Sequence, residues 1–153
     1  MRNHHALMAA VVAAALLAVA GPVLASQDDA ALRSYVLTSD KLQRYGALSA
    51  TLKHEGARDP ALRAEMKTAG DASGGTLTTA VAAMRRHPVL LGYIHRAGLT
   101  EQDMVLIPLT VMGATMAQQL SPAQRKTYPV SPASIDFVEH HKAEVAAVAK
   151  TMH

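Results

Sequence analysis

Apolar residues along this chain recur at alternating spacings of three and four, which is the spacing of one face of an α-helix. Leu42, Tyr45 and Leu52 follow this spacing early in the chain, and Ile135 and Val138 follow it near the C terminus. No segment alternates apolar and polar residues at every second position, as a half-buried strand would. The pattern therefore predicts an all-α protein.

Helix-capping residues and prolines divide this pattern into about five or six helices over residues 37–153. The predicted helix starts are Thr38 or Ser39, Asp59-Pro60, Thr76, Pro88, Thr100 and Ser131-Pro132. Residues 26–36 begin polar and are expected to form a partly ordered lead-in, and the Ser- and Pro-rich stretch 121–131 is expected to be a loop. The last helix is expected to continue unbroken to Met152, with Lys142 interrupting its apolar stripe.

One predicted helix is apolar around nearly its whole circumference. It begins at the cap Thr100, carries Asp103 in its first turn, and has no charged residue from Met104 to Ala117. This run is about 21 Å long, whereas the hydrocarbon core of a bilayer is roughly 30 Å thick. The helix is therefore predicted to lie at the centre of a single compact bundle. Pro108 is expected to kink it, because proline removes one backbone hydrogen bond.

The first 25 residues have the three-part layout of a secretory signal peptide. Arg2 precedes an uncharged apolar run over residues 6–20, which is followed by Gly21-Pro22 and by the small residue Ala25. Cleavage after Ala25 is predicted, with export to the periplasm or out of the cell. The alternative is an uncleaved N-terminal anchor, against which the helix-breaking Gly-Pro pair argues. No cysteine follows the apolar run, so a lipoprotein anchor is excluded.

Composition narrows the function classes further. The 15 Lys and Arg residues against 12 Asp and Glu residues, a net charge of +3, are interspersed and form no basic block, which argues against nucleic-acid binding. The chain has no cysteine, which excludes disulfides, thiolate catalysis, zinc–thiolate sites and c-type haem attachment. The domain must therefore be stabilised by packing alone.

The candidate metal ligands are His140, His141 and Glu144. On a continuous helix each histidine lies three or four residues before the glutamate, so an imidazole and the carboxylate can face one ion. Further ligands would have to come from the other histidines: His54, His87, His95 and His153. The simpler interpretation is a solvated helix face with His141 at the edge of the core, and it is favoured because two ligands are half a site.

A haem site is a second cofactor hypothesis, with Met112 or Met116 of the central helix and His141 as axial ligands. Methionines at helical spacing more often fill a core, and one Phe and no Trp provide little aromatic wall for a porphyrin.

Enzyme signatures are weaker still. No glycine-rich phosphate loop or Gly-x-Ser-x-Gly elbow occurs in the chain. Asp40, Asp103 and Asp136 each fall in the first turn of a predicted helix, where the helix dipole accounts for a carboxylate. No catalytic residue is therefore predicted.

Three stretches carry a family resemblance: LTSDKLQRY (37–45), HPVLLGYIHRAGLTEQDMVLIPLTVMGA (87–114) and VSPASIDFVEHHKAEV (130–145). The chain resembles a family of small exported bacterial helical proteins without an assigned function. Members of that family often have Asn where this chain has Ser131, an exchange that keeps a capping side chain. The resemblance implies an exported helical fold and implies no chemistry.

Together these observations predict a small soluble exported protein, periplasmic or secreted, that acts as a non-enzymatic binding or interaction module. Its partner would be a protein, a small molecule or a second copy of the chain, with no nucleic acid and no membrane span after signal cleavage. The alternative is a metal- or haem-binding protein that uses His141 and Glu144, and an enzyme ranks third.

The metal hypothesis makes a direct prediction. Residues 26–153, purified from a periplasmic extract without an affinity tag, should carry near-stoichiometric zinc, copper or iron when measured by elemental mass spectrometry. His141→Ala should abolish the bound metal, because it removes a ligand that the site needs. Metal-free protein would contradict the hypothesis and leave the histidines with structural and surface roles.

Overall fold

The computed structural model describes residues 27–72 and 75–151, and every regular element in these ranges is an α-helix. In chain order the helices are α1 (Gln27–Ser34), α2 (Ser39–Arg58), α3 (Pro60–Ala72), α4 (Leu77–Met84), α5 (Pro88–Arg96), α6 (Glu101–Ala117), α7 (Pro122–Thr127), α8 (Pro132–His140) and α9 (Lys142–Thr151). The all-α prediction is confirmed. The predicted signal peptide lies outside the described residues, as do Met152 and His153.

The predicted helix starts are confirmed at five places where a side chain caps the first turn. Each capping side chain accepts a hydrogen bond from a backbone N–H two or three residues later: the caps are Thr38, Asp59, Thr76, Thr100 and Ser131. Gly98, two residues after the end of α5, has a φ of +71°, in the left-handed region that glycine enters without steric cost. Local capping chemistry thus determines where most helices begin.

Two helices form where the sequence predicted none. In the expected lead-in, α1 is held at both ends: Asp28 accepts the N–H of Leu77 at 3.1 Å, and Arg33 donates to the carbonyl of Thr127 at 3.1 Å. In the expected loop, α7 begins at a Ser121 capping box and is six residues long. Tertiary contacts for α1 and a local cap for α7 outweigh the weak apolar pattern of both segments.

The predicted unbroken last helix is divided at His141, whose backbone (φ −114°, ψ 34°) leaves helical geometry. The His141 ring stacks on Phe137 with 4.1 Å between ring centroids, and its Nδ1 lies 2.9 Å from the Phe137 carbonyl oxygen. Lys142 consequently begins a new helix and is exposed, which explains a lysine within an apolar stripe.

Helix α6 lies at the centre of the bundle and packs most extensively against α8 and α4. Val105, Ile107 and Ala114 are among its fully buried side chains. Its burial is incomplete, however, because Met112 and Met116 are exposed, whereas the sequence predicted a helix enclosed on all sides. Within the two described ranges, no helix combines the length and the apolarity that a bilayer-spanning segment requires.

The segment before α8 lies close against α6 at a glycine. A Cβ placed on Gly113 would lie 2.6 Å from Cγ2 of Val130, a residue that is itself buried. Real side chains do not approach that closely, so the contact requires glycine at position 113. Gly92 of α5 is different, because a Cβ there would meet only the end of the flexible Arg96 side chain at 3.4 Å.

These two glycines predict opposite effects on stability. Gly113→Ala should lower the free energy of unfolding by about 1–3 kcal/mol through overpacking against Val130. Gly92→Ala should raise it by up to about 1 kcal/mol, because alanine is the better helix former. Both values are measurable by urea unfolding. In a Val130→Ala background Gly113→Ala should no longer destabilise, and an equal gain from both glycine variants in the native background would refute the close contact.

Candidate functional site

Asp103, in the first turn of α6, is the one charged side chain buried in the part of the chain that the structure describes. Its Oδ1 accepts hydrogen bonds from the Tyr35 hydroxyl at 2.7 Å and from Lys41 Nζ at 3.0 Å. Its Oδ2 accepts from the backbone N–H and the hydroxyl of Thr100, at 3.0 and 2.8 Å. Lys41 Nζ also lies 4.4 Å from the centre of the Tyr35 ring, a cation–π contact.

These contacts determine the ionisation of the cluster. Burial by itself would raise the pKa of Asp103, but hydrogen bonds from Tyr35, Thr100 and Lys41 outweigh it and lower the pKa to about 2. Burial and the neighbouring carboxylate both raise the pKa of Tyr35, which keeps its proton on the phenol. Four donors occupy the Asp103 oxygens, so the carboxylate is poorly placed to act as a base or metal ligand.

The same cluster is continuous with the start of α8. The hydroxyls of Ser131 and Ser134 lie 2.9 and 3.0 Å from the carbonyl oxygen of Tyr35. The Ser134 hydroxyl also accepts the N–H of the buried Leu37 at 3.1 Å. The segment 35–37 is therefore hydrogen-bonded to α6 on one side and to the start of α8 on the other. These hydrogen bonds have a structural role.

The predicted metal ligands occupy the surface near the α8–α9 junction. His140 and His141 are exposed, and the Nδ1 of each lies within hydrogen-bonding distance of the backbone carbonyl four residues earlier. Because a carbonyl oxygen only accepts, each of these nitrogens must carry its proton. Glu144 accepts from the Ser39 hydroxyl at 3.0 Å and from Gln43 Nε2 at 3.2 Å, which fastens α9 to α2.

Over residues 27–72 and 75–151 there is no group of three or more His, Asp or Glu side chains that could hold a metal ion. Two other described histidines each have one carboxylate neighbour. His54 Nδ1 lies 2.8 Å from Glu55 Oε1, and His95 Nε2 lies 3.6 Å from Glu101 Oε2. Metal binding by His140, His141 and Glu144 stays a prediction, as does haem ligation by Met112 or Met116 with His141.

Arginines satisfy the carbonyl groups at two helix ends. Arg63 donates to the carbonyls of Gly56 and Ala57, both at 2.8 Å, at the end of α2. Arg125 donates to the carbonyls of Gln118 and Leu120, at 2.8 and 3.1 Å, just beyond α6. The last carbonyls of a helix have no partner within it, so a positive side chain there satisfies them and interacts favourably with the helix dipole.

Carboxylates perform the matching role at helix starts. Glu65 of α3 accepts the N–H of Leu90 in the first turn of α5 at 2.8 Å. Glu101 lies in the first turn of α6. Its Oε1 is 3.3 Å from Arg85 Nε, and its Oε2 is 3.6 Å from His95 Nε2. The pKa of Glu101 is lowered chiefly by a hydrogen bond from its own backbone N–H, with further contributions from Arg85 and His95. These charged groups stabilise the fold and do not converge on a reaction site.

The main apolar feature of the described surface is on the outer face of α6. Met112 is 37% exposed and Met116 is 54% exposed, and they lie on successive turns after the half-buried Pro108. We call these three residues the methionine stripe. The half-buried Tyr128 borders it, with its hydroxyl 3.8 Å from Met116 Sδ. No charged residue occurs from residue 104 to residue 124.

Comparisons of the chain with protein families, with curated proteins and with solved structures found no match.

The hydrogen bonds to Asp103 predict that the stability of the fold depends on pH in the acid range. Because the folded pKa of about 2 lies below the ordinary value of 3.8, the ionised carboxylate stabilises the fold fully above about pH 4. This contribution, about 2 kcal/mol, is lost as the pH falls from about 4 to about 2. Urea unfolding should show that Asp103→Asn lowers the free energy of unfolding by that amount at pH 7. Between about pH 4 and about pH 2 the free energy of unfolding of this variant should change less with pH than that of the native protein.

Asp40→Asn is the matched control, because Asp40 also lies in the first turn of a helix and pairs with a cation, Arg44, but is exposed. It should change stability and its pH dependence little, since exposed ion pairs are screened by water. If the two variants had the same acid profile, the low pKa assigned to Asp103 would be wrong.

Proposed function

We propose that this chain is a small exported, non-enzymatic binding protein that associates through the methionine stripe of α6, and that its partner is a second copy of itself. Export is supported by the three-part layout of the first 25 residues. A non-enzymatic role is supported by the use of Asp103, Glu101 and Glu144 in contacts that hold helices together.

The observation that carries the proposal is the exposure of Met112 and Met116 on a helix that is otherwise part of the core. A central helix normally turns its apolar residues inward, so two large apolar side chains on successive turns leave an uncovered surface. Contiguous exposed apolar surface on a protein commonly marks a site of association. Methionine suits such a surface, because its unbranched side chain adapts to the shape of the partner.

A second copy is the partner that the charge distribution fits best. Residues 104–124 carry no charge, so these residues bury no unpaired charge when two copies bring the stripe together. They also meet without like-charge repulsion, whereas a charged partner would find no counter-charge in this stretch. A two-fold arrangement would place the same residues on both sides of the contact, as in most homodimers.

The test is to remove the apolar character of the stripe and measure self-association. The native protein should show a concentration-dependent dimer by sedimentation equilibrium. Met112→Ser combined with Met116→Ser should raise the dissociation constant at least about tenfold, which corresponds to about 1.4 kcal/mol, because the apolar contact surface is lost. The unfolding midpoint of the monomer should fall only slightly, since Met116 is more than half exposed and Met112 is partly exposed.

Val36→Ser is the control, because Val36 is 51% exposed and lies outside α6. It should leave the dissociation constant unchanged. A native protein that stays monomeric at the highest concentrations would overturn the proposal, as would a control that weakens association as much as the stripe variants do.

A further inference from the structure

We propose that Met116, followed by Met112, is a site of oxidation to methionine sulfoxide by hydrogen peroxide, and that this modification dissociates the two copies. The part of the inference that concerns dissociation rests on the proposed function, whereas the modification site stands on its own geometry.

The sulfur chemistry of the chain points to methionine. The chain contains eight methionines and no cysteine, so thioethers are its only sulfur groups that a peroxide can oxidise. The rate of methionine oxidation follows access to the sulfur. Met84 is buried at 9% exposure, and Met66 and Met104 are half-buried, whereas Met116 is more than half exposed. Among the described methionines, the stripe is therefore the first target.

Hydrogen peroxide is the only co-reactant that this oxidation needs. The Met116 sulfur attacks one peroxide oxygen, so that an S–O bond forms and the O–O bond breaks. The sulfur loses two electrons, and the other oxygen leaves as hydroxide. Hydroxide takes the proton from the S–OH group, which gives a sulfoxide and one molecule of water. The protein supplies the position of the sulfur and the surroundings of the product.

Tyr128 is placed to bind the product. Its hydroxyl lies 3.8 Å from Met116 Sδ, and its backbone N–H is fixed by the carbonyl of Arg125 at 3.2 Å. The Tyr128 ring lies beside Gly113 of α6: its Cε1 atom would be 3.7 Å from a Cβ added at Gly113. A thioether sulfur is a weak acceptor, whereas a sulfoxide oxygen is a strong one. The Tyr128 hydroxyl can therefore donate a stronger hydrogen bond after oxidation than before it.

Oxidation changes the stripe without disturbing the core. The new S–O dipole lies on an exposed side chain, so the folded monomer keeps its packing. In the dimer the sulfoxide would be withdrawn from water against an apolar surface, where the Tyr128 hydroxyl alone satisfies only part of its hydrogen-bonding capacity, which is unfavourable. The sulfoxide would therefore weaken association far more than it weakens the fold.

The first experiment locates the modification. The full chain, folded, untagged and diluted until it is monomeric so that the stripe is uncovered, is treated with hydrogen peroxide to partial conversion, and each methionine is followed by peptide mass spectrometry for the gain of one oxygen. Among the five methionines in the described part of the chain, Met116 should be converted first, Met112 second and Met84 last. Equal conversion of these five, or conversion of Met84 before Met116, would overturn the assignment of the site.

The second experiment connects the modification to association. After peroxide, the dissociation constant of the native protein should rise at least about tenfold, or about 1.4 kcal/mol. Met112→Leu combined with Met116→Leu keeps an apolar stripe that cannot be oxidised, so its association should be unchanged by peroxide. Met84→Leu is the control and should respond as the native protein does. Dissociation of the double leucine variant by peroxide would overturn the inference.

The role of Tyr128 is tested separately. In Tyr128→Phe the sulfoxide should still form, but the unfolding midpoint of the oxidised protein should fall further below that of the reduced protein than it does in the native chain. An identical fall would remove Tyr128 from the inference. If the untreated native protein proves monomeric, the proposed function fails, and the order of methionine conversion still supports or overturns the modification site by itself.

Discussion

The hydrogen bonds to the Asp103 carboxylate hold together parts of the chain that are distant in sequence. Through Tyr35, Lys41 and Thr100, this one side chain connects the end of α1, the first turn of α2 and the start of α6. A buried carboxylate without partners would be strongly unfavourable, so the four donors and the position of α6 depend on one another. The core can place an apolar helix at its centre because the polar start of that helix is satisfied here.

The helix starts were predictable because a cap is local: the side chain and the N–H it binds are two or three residues apart. Thr38, Thr100 and Ser131 are recognisable on that basis, and the all-α class follows from the apolar spacing. Helix α1 was not predicted, since its ends are held by residues 77 and 127, a separation that no periodicity reveals. The break at His141 leaves no signal in the sequence, because the apolar spacing continues through it.

The candidate site was harder to predict, for two physical reasons. Spacing placed His140 and Glu144 on one helix face, but it could not show that Glu144 is bound by residues of α2. The circumference of α6 is apolar, and composition alone does not show whether each face has a neighbour. Met112 and Met116 therefore resembled core residues, although the structure leaves them exposed. The sequence signal that remains is the uncharged run over residues 104–124.

The capping of helix ends by remote side chains has a consequence for how the fold breaks down. Helix α4 has eight residues and α5 has nine, and helices this short are marginal in water on their own. The first turns of both are bound by carboxylates from other helices, Asp28 for α4 and Glu65 for α5. Local opening of α1 would therefore remove one hydrogen bond at the start of α4, and opening of α3 would remove one at the start of α5, so each opening would weaken a second helix.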